Sequence, residues 1–216
     1  MIKRHLHLIG LTGYARSGKD SAYSYLEPMG YKRFAFADAL RQMARGTNAY
    51  ISMEGAPLCV RRHFTTHLGL PRKFVRYAEI IDTIGYEAAK LIPDFRAYLQ
   101  SMGTEGVRSV FGEDAWVDAL DHVLENQQFG AKACITDVRF PNEADYVHSQ
   151  GGTVWRIIRV NEDGSHYDAG VDRSHGSERH IANLPADYEL VASNLSELAE
   201  QVVGAYEDMY DLHNRA

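Results

Sequence analysis

The sequence is poor in cysteine, in lysine and in long apolar runs. Cys59 and Cys134 are its only thiols, too few and too far apart for a disulfide framework. Each has apolar neighbours, so both are expected to be buried and reduced. No apolar stretch approaches the ~18 residues that a membrane-spanning helix requires, so no membrane partner is expected. Met1 to His5 runs straight into a strand-like segment. That leaves no room for a secretory leader and gives a cytoplasmic expectation. An excess of positive charge is also missing, because the net charge is −6. A general nucleic-acid surface is therefore not expected. No repeat, low-complexity tract or linker divides the 216 residues, a length that suits one domain with a full-sized core.

What is present begins with arginine. Of the 23 basic residues, 17 are arginine and 6 are lysine. Arginine recognises phosphate through a planar fork of donors, but base composition could explain the bulk of them. Position must decide which ones matter.

One stretch organises the chain. Gly13-Tyr14-Ala15-Arg16-Ser17-Gly18-Lys19 reads G-x-x-x-x-G-K, the phosphate-cradling Walker A loop. The apolar run Leu6–Leu11 precedes it, and a helix-compatible run from Asp20 to Leu26 follows. That is the strand–loop–helix context the motif needs. Glycines at 13 and 18 allow a sharp turn and close approach to an anion. Amides from Ala15 to Asp20 can then face phosphate oxygens, helped by the partial charge of the helix start. Lys19 supplies a mobile point charge. The loop usually ends in Ser or Thr, whose hydroxyl binds magnesium, but here Asp20 stands there, followed by Ser21. A carboxylate is also a hard-oxygen ligand. Asp20 is thus a candidate Mg2+ ligand, with helix capping as the alternative.

Further strands are expected at Arg33–Ala37, Ala131–Thr136, Thr153–Val160 and Tyr188–Ala192, each followed by helical or loop sequence. Leu6–Leu11 is continuous rather than alternating, as in a parallel strand covered on both faces, and Ala131–Thr136 is of the same buried type. The β-α alternation predicts an α/β, three-layer P-loop NTPase fold. Its mainly parallel, five-stranded sheet would carry helices on both faces. Residues 46–92 read as a mainly helical, substrate-side insertion, with a helix from Arg72 to about Ile92. Residues 161–183 read as a lid-like segment carrying Arg173, His175, Glu178 and Arg179. The whole chain, 1–216, is expected to be one domain.

Candidate residues follow from these placements. Asp38 should cap a helix that carries Arg41 in its first turn, beside a strand end where ligands of open α/β sheets bind. Asp94 should cap another, which carries Arg96 and Gln100 four apart on one face. Such a pair can hold a phosphate and a base edge. Trp116 could stack on a base or serve as a core residue. Asp137 ends an apolar strand, the placement of a metal-orienting aspartate, and Arg139 follows into the same crevice. Glu143 lies in the next helix's first turn, where it could cap the helix or touch substrate. Arg159 closes the following strand. His63 and His67 have helical metal spacing, but no third ligand is evident.

Taken in order, these blocks resemble the tailed-phage deoxynucleoside monophosphate kinases. The resemblance rests on Gly13 to Asp20, with the unusual Asp, and on Gln100-Ser-Met-Gly103-Thr104-Glu105 with Trp116. It rests also on Asp137-Val-Arg139 with Glu143, on Gly151-Gly-Thr-Val before the strand ending in Arg159, and on Asn194-Leu-Ser-Glu-Leu. It covers most of the chain and is least in 46–92. It implies transfer of the γ-phosphoryl group of ATP, with Mg2+, to a deoxynucleoside monophosphate, giving the diphosphate. Lys19, Arg16, Asp137 and Arg139 would be catalytic. Gly13, Ala15, Arg16, Ser17, Gly18, Lys19, Asp20, Ser21 and Arg159 would bind ATP. Arg41, Arg96, Gln100, Thr104, Trp116, Arg139 and Glu143 would bind the acceptor, and Asp20 and Asp137 would serve the metal. Arg159 and Arg173 would close over the phosphates. The partners implied are small nucleotides, in the host cytoplasm if the protein is phage-encoded, and a homodimer is left open. The alternatives are another small-molecule P-loop kinase, of the dephospho-coenzyme A or phosphomevalonate type, or a non-catalytic nucleotide-binding protein.

Overall fold

The computed structural model describes residues 7–128, 130–165, 167 and 181–215. Leu6, expected in the first strand, lies outside the described residues. So do Arg173, His175, Glu178 and Arg179 of the expected lid. The chain divides into two compact units, 1–36 with 117–216, and 37–116.

The first unit is built on five strands: β1 (His7–Thr12), β2 (Lys32–Phe34), β5 (Lys132–Val138), β6 (Thr153–Arg159) and β7 (Tyr188–Ala192). They form one sheet of order β2-β5-β1-β6-β7, and every neighbouring pair is parallel. β1 is buried on both faces, which is why its sequence runs apolar without alternation. Its Ile9 and Leu11 join a core with Leu26 of α1 (Lys19–Leu26) and Leu198 and Val202 of α9 (Leu195–Arg215). Each such fully buried side chain stabilises the fold by roughly 1.5–3 kcal/mol. On the opposite face Gly10 leaves room for α8 (Pro141–Ser149). A Cβ at Gly10 would meet Val147 Cγ2 at 3.0 Å. α7 (Ala115–Glu125) joins that side, where the Tyr146 hydroxyl donates to Asp121 Oδ1 at 2.9 Å.

The second unit carries α2 (Ala37–Thr47), α3 (Leu58–Arg61), α4 (Tyr77–Ala89), α5 (Pro93–Gln100) and the single turn α6 (Ser109–Phe111). It also holds an antiparallel pair, β3 (Tyr50–Ser52) and β4 (Phe74–Arg76). The helix expected from Arg72 therefore begins only at Tyr77. Its first residues pair with β3 instead, burying Ile51 and Val75. Tyr77 and Phe95 stack at 4.9 Å in the core of this unit. Gly85 interrupts α4 with φ 75° and ψ 166°. Asp94 does not cap α5. Ile92 holds the cap position, and the Asp94 carboxylate instead accepts the Ser52 amide at 2.6 Å. The cysteine expectation holds for one residue only. Cys134 is buried in the sheet, whereas Cys59 is exposed, because α3 turns only Val60 inward among its four residues.

Candidate active site

The phosphate loop follows β1 at the carboxyl end of the sheet. Gly13 has φ 145°, and a Cβ there would sit 2.5 Å from the Ile157 carbonyl oxygen and 2.6 Å from Ser17 Oγ. No side chain fits. Gly18 has φ 104° and forms the start of α1. Between them Arg16 adopts φ 63°, a left-handed conformation that costs a non-glycine residue free energy and is concentrated at functional loops. The loop thus turns back on itself and leads into α1. Its Lys19 ammonium donates to the carbonyls of Gly13 at 2.6 Å and Tyr14 at 2.8 Å. That clamp holds a positive charge against the loop it serves. Asp20 follows it as an exposed residue in the first turn of α1, and Ser21 is half-buried.

Register places the neighbours. Thr12, the last residue of β1, pairs with Val138 on one side and Arg156 on the other. Asp137 and Arg139 therefore flank the loop along one strand end, and Arg159 ends the strand on the other side. The Asp137 carboxylate accepts the Phe36 amide at 2.8 Å, tying the end of β2 to β5. Arg159, Tyr167 and Ile181 line a cavity of about 220 Å³ together with Gly13, Ala15 and Ser17 of the loop. The Arg159 guanidinium lies 4.0 Å over the Tyr167 ring. Ser17 is buried, and its Oγ has no hydrogen-bond partner among the described residues. A buried hydroxyl without a partner costs about 1–3 kcal/mol. A phosphate oxygen is an acceptor that would remove that cost.

Glu143 is 3% exposed. Its Oε2 accepts the amides of Arg139 at 2.8 Å and Phe140 at 3.2 Å. The carboxylate thus holds the turn that presents Arg139 and caps α8, a role its place three residues into that helix allowed.

The remaining expected residues belong to the second unit. Arg41 pairs with Asp38 at 2.9 Å and lies 4.5 Å over the Tyr86 ring. Arg96 and Gln100 are exposed on α5. Thr104 is exposed on a π-helical segment, Ser101–Arg108, that continues α5. Wider turns of this type recur at functional sites. Gly103 on the same segment lets α2 approach, since a Cβ there would meet Leu40 Cδ2 at 3.0 Å. Trp116 is 6% exposed, and its indole nitrogen donates to the Gly103 carbonyl at 3.0 Å. That is the arrangement of a core tryptophan. Tyr14, Tyr167 and Ile181 also line the cavity. Tyr167 and Ile181 fall within the expected lid-like segment 161–183, but no motif singles them out. Tyr14 was legible only as a variable position within the loop.

A parallel sheet with helices on both faces, and a Walker A loop after its central strand, defines the α/β P-loop NTPase fold. No model of a known protein family matches the chain. A mimivirus (Acanthamoeba polyphaga mimivirus) protein named "Putative deoxynucleotide monophosphate kinase" is 26% identical over 211 residues, covering 93% of this chain and 96% of that one. The crystal structure of TT1252 from Thermus thermophilus shares the fold at 15% identity, with a TM-score of 0.50, over 95% of this chain and 98% of that one.

Proposed function

We propose that the protein is a deoxynucleoside monophosphate kinase, supplying nucleotide precursors for DNA synthesis. The observation that carries the reading is the loop from Gly13 to Lys19, closed by its lysine clamp and facing an arginine-lined cavity. The name of the mimivirus relative, matched nearly end to end, supports the choice of acceptor.

ATP is the donor in this reading. Loop amides, Ser17 Oγ and Lys19 hold its β- and γ-phosphates, and Arg159 with Tyr167 borders the same cavity. The bond from the γ-phosphorus to the β,γ-bridging oxygen breaks as an acceptor phosphate oxygen bonds to that phosphorus. ADP and a deoxynucleoside diphosphate result. The acceptor is already an oxyanion at neutral pH, so alignment and charge neutralisation do most of the catalysis. Arg16 and Arg139 are assigned to the transferred group. Arg41, Arg96, Gln100 and Thr104 are assigned to the acceptor phosphate and base.

Magnesium fits the donor set. No three carboxylate, imidazole or thiol groups cluster into a protein-only metal cage among the described residues. Mg2+ needs no such cage, because it is commonly held by one or two carboxylates together with substrate phosphates. Asp20, with Ser21 beside it, would hold the ion, and Asp137 would orient it. The bound ion would supply positive charge to the triphosphate.

The test is a turnover panel with ATP and magnesium, offering deoxy- and ribonucleoside monophosphates one at a time. ADP release with at least one deoxynucleotide is the expected result. Silence across all of them, with activity on a non-nucleotide phosphate, would replace this reading with a different small-molecule kinase.

A further inference from the structure

One segment carries basic residues with no acidic ones among them. From Gly55 to Ala78 the chain has no aspartate or glutamate, yet it carries Arg61, Arg62, Arg72, Lys73 and Arg76. The whole protein has a net charge of −6, so this is a local inversion of sign. Two of these cations are already engaged. Arg72 forks onto Glu79, and Arg76 lies 3.8 Å over the Tyr50 ring. Arg61 and Arg62 are different. Neither makes an ion pair among the described residues, and Arg61 Nε is shut off from solvent without a hydrogen-bond partner.

Both arginines line an open surface groove of about 660 Å³ in the second unit, with Leu58, Cys59, Thr65 and Pro71. No carboxylate lines it. The rim is a built turn. Thr65 bridges Pro71, the Thr66 amide donates to the Leu70 carbonyl at 2.7 Å, and Thr66 Oγ1 accepts the amides of Leu68 and Leu70. Phe64, 2% exposed, anchors the turn from below. Burying a guanidinium N–H without an acceptor is unfavourable, and an anion accepting from Arg61 relieves that cost, with Arg62 adding a second cation at the rim. Arginine's fork geometry selects phosphate or carboxylate. The groove is larger than a lone phosphate fills. Leu58 and Pro71 give it an apolar wall.

We propose that this groove binds a small phosphate-bearing anion of nucleotide size. None of the residues assigned above to the reaction lines it, so the proposal stands apart from the kinase reading. Cys59 serves as a built-in reporter. It is exposed in the groove wall, whereas Cys134 is buried and its thiol is pushed up by that burial. Only Cys59 should react with iodoacetamide in the native protein.

The experiment measures Cys59 alkylation in the presence of inorganic pyrophosphate, ATP or dTMP, each against sodium chloride at matched ionic strength. At least one phosphate probe is expected to slow labelling about fivefold at concentrations several times its Kd. Protection by pyrophosphate would mean that the phosphate suffices. Protection by the nucleotides alone would mean that the base and sugar also use the wall. The effect should survive in Lys19→Ala and be lost in Arg61→Gln/Arg62→Gln. Arg62→Gln alone, at an exposed position, should weaken it without endangering the fold. Protection by none of the probes overturns the proposal, as does protection undiminished by either arginine variant. Protection lost in Lys19→Ala would place the effect at the phosphate loop and also overturn it. So would protection by a single-stranded oligonucleotide alone, which would assign the patch to another class of ligand.

Discussion

At the scale of single residues the site depends on Gly13 and Lys19. A methyl group at position 13 would lie 2.5 Å from a main-chain oxygen, which cannot swing aside as a side-chain end could. Gly13→Ala is expected to lower stability by about 1–3 kcal/mol through backbone strain and to weaken ATP binding. Denaturant melts and nucleotide titration on the same preparation check both. Lys19→Ala removes a cation held 2.6–2.8 Å from two loop carbonyls. It should fold normally and lose kcat by ~100-fold or more. Unchanged turnover would separate the loop from the chemistry. These two residues were legible because the motif states its own geometry. Trp116 was not. A tryptophan that packs and one that stacks on a ligand have the same sequence neighbourhood, and only its contact with the Gly103 carbonyl tells them apart.

At the scale of elements, the turn from β5 into α8 is held by one buried carboxylate. Glu143→Ala strands the amides of Arg139 and Phe140, each of which donates to Glu143. The expected loss is about 2–4 kcal/mol in chemical denaturation, as for two donors left without a partner. Glu143→Gln keeps an acceptor and should recover part of it. A Glu143→Ala protein as stable as the wild type would show that the turn holds itself. β1 and β5 could be read in advance because strands covered on both faces are near-continuous apolar runs, whereas β2, expected at Arg33–Ala37, pairs only over Lys32–Phe34. β3 and β4 could not. Each is three residues long, shorter than any periodicity can register, and only their pairing makes them strands. The π-helical turns after α5 gave no sign either, since the composition of Ser101–Arg108 is compatible with an ordinary helix.

For the molecule as a whole, tyrosines whose ionisation the fold disfavours should weaken it at alkaline pH. Burial, then Tyr86, pushes the Tyr77 phenol up to about 12. Burial also moves Tyr188 up to about 12, with its hydrogen bond to Asp208 adding to the shift. Tyr31 moves in the same direction, again chiefly by burial. A phenol in an unfolded chain ionises near pH ~10. The fold therefore favours the neutral form. That contribution is complete below pH ~10 and is lost as pH rises through about 12. Denaturation midpoints should fall over that window, with tyrosinate absorbance rising in step with unfolding. Absorbance rising fully before the structure is lost would show that the phenols titrate while folded. Tyr77 lies in one unit and Tyr31 and Tyr188 in the other, so both should be affected.

The sheet order also governs when the phosphate loop can first take shape during synthesis. β1 and β2 leave the ribosome early but are never neighbours, because β5 lies between them. Both strands that flank β1 begin at Lys132 or later. The carbonyl that makes Gly13 obligatory belongs to Ile157. A nascent chain that stops short of β6 therefore carries the motif without the cradle, and nucleotide in the cell can reward folding only once about three quarters of the polypeptide has emerged.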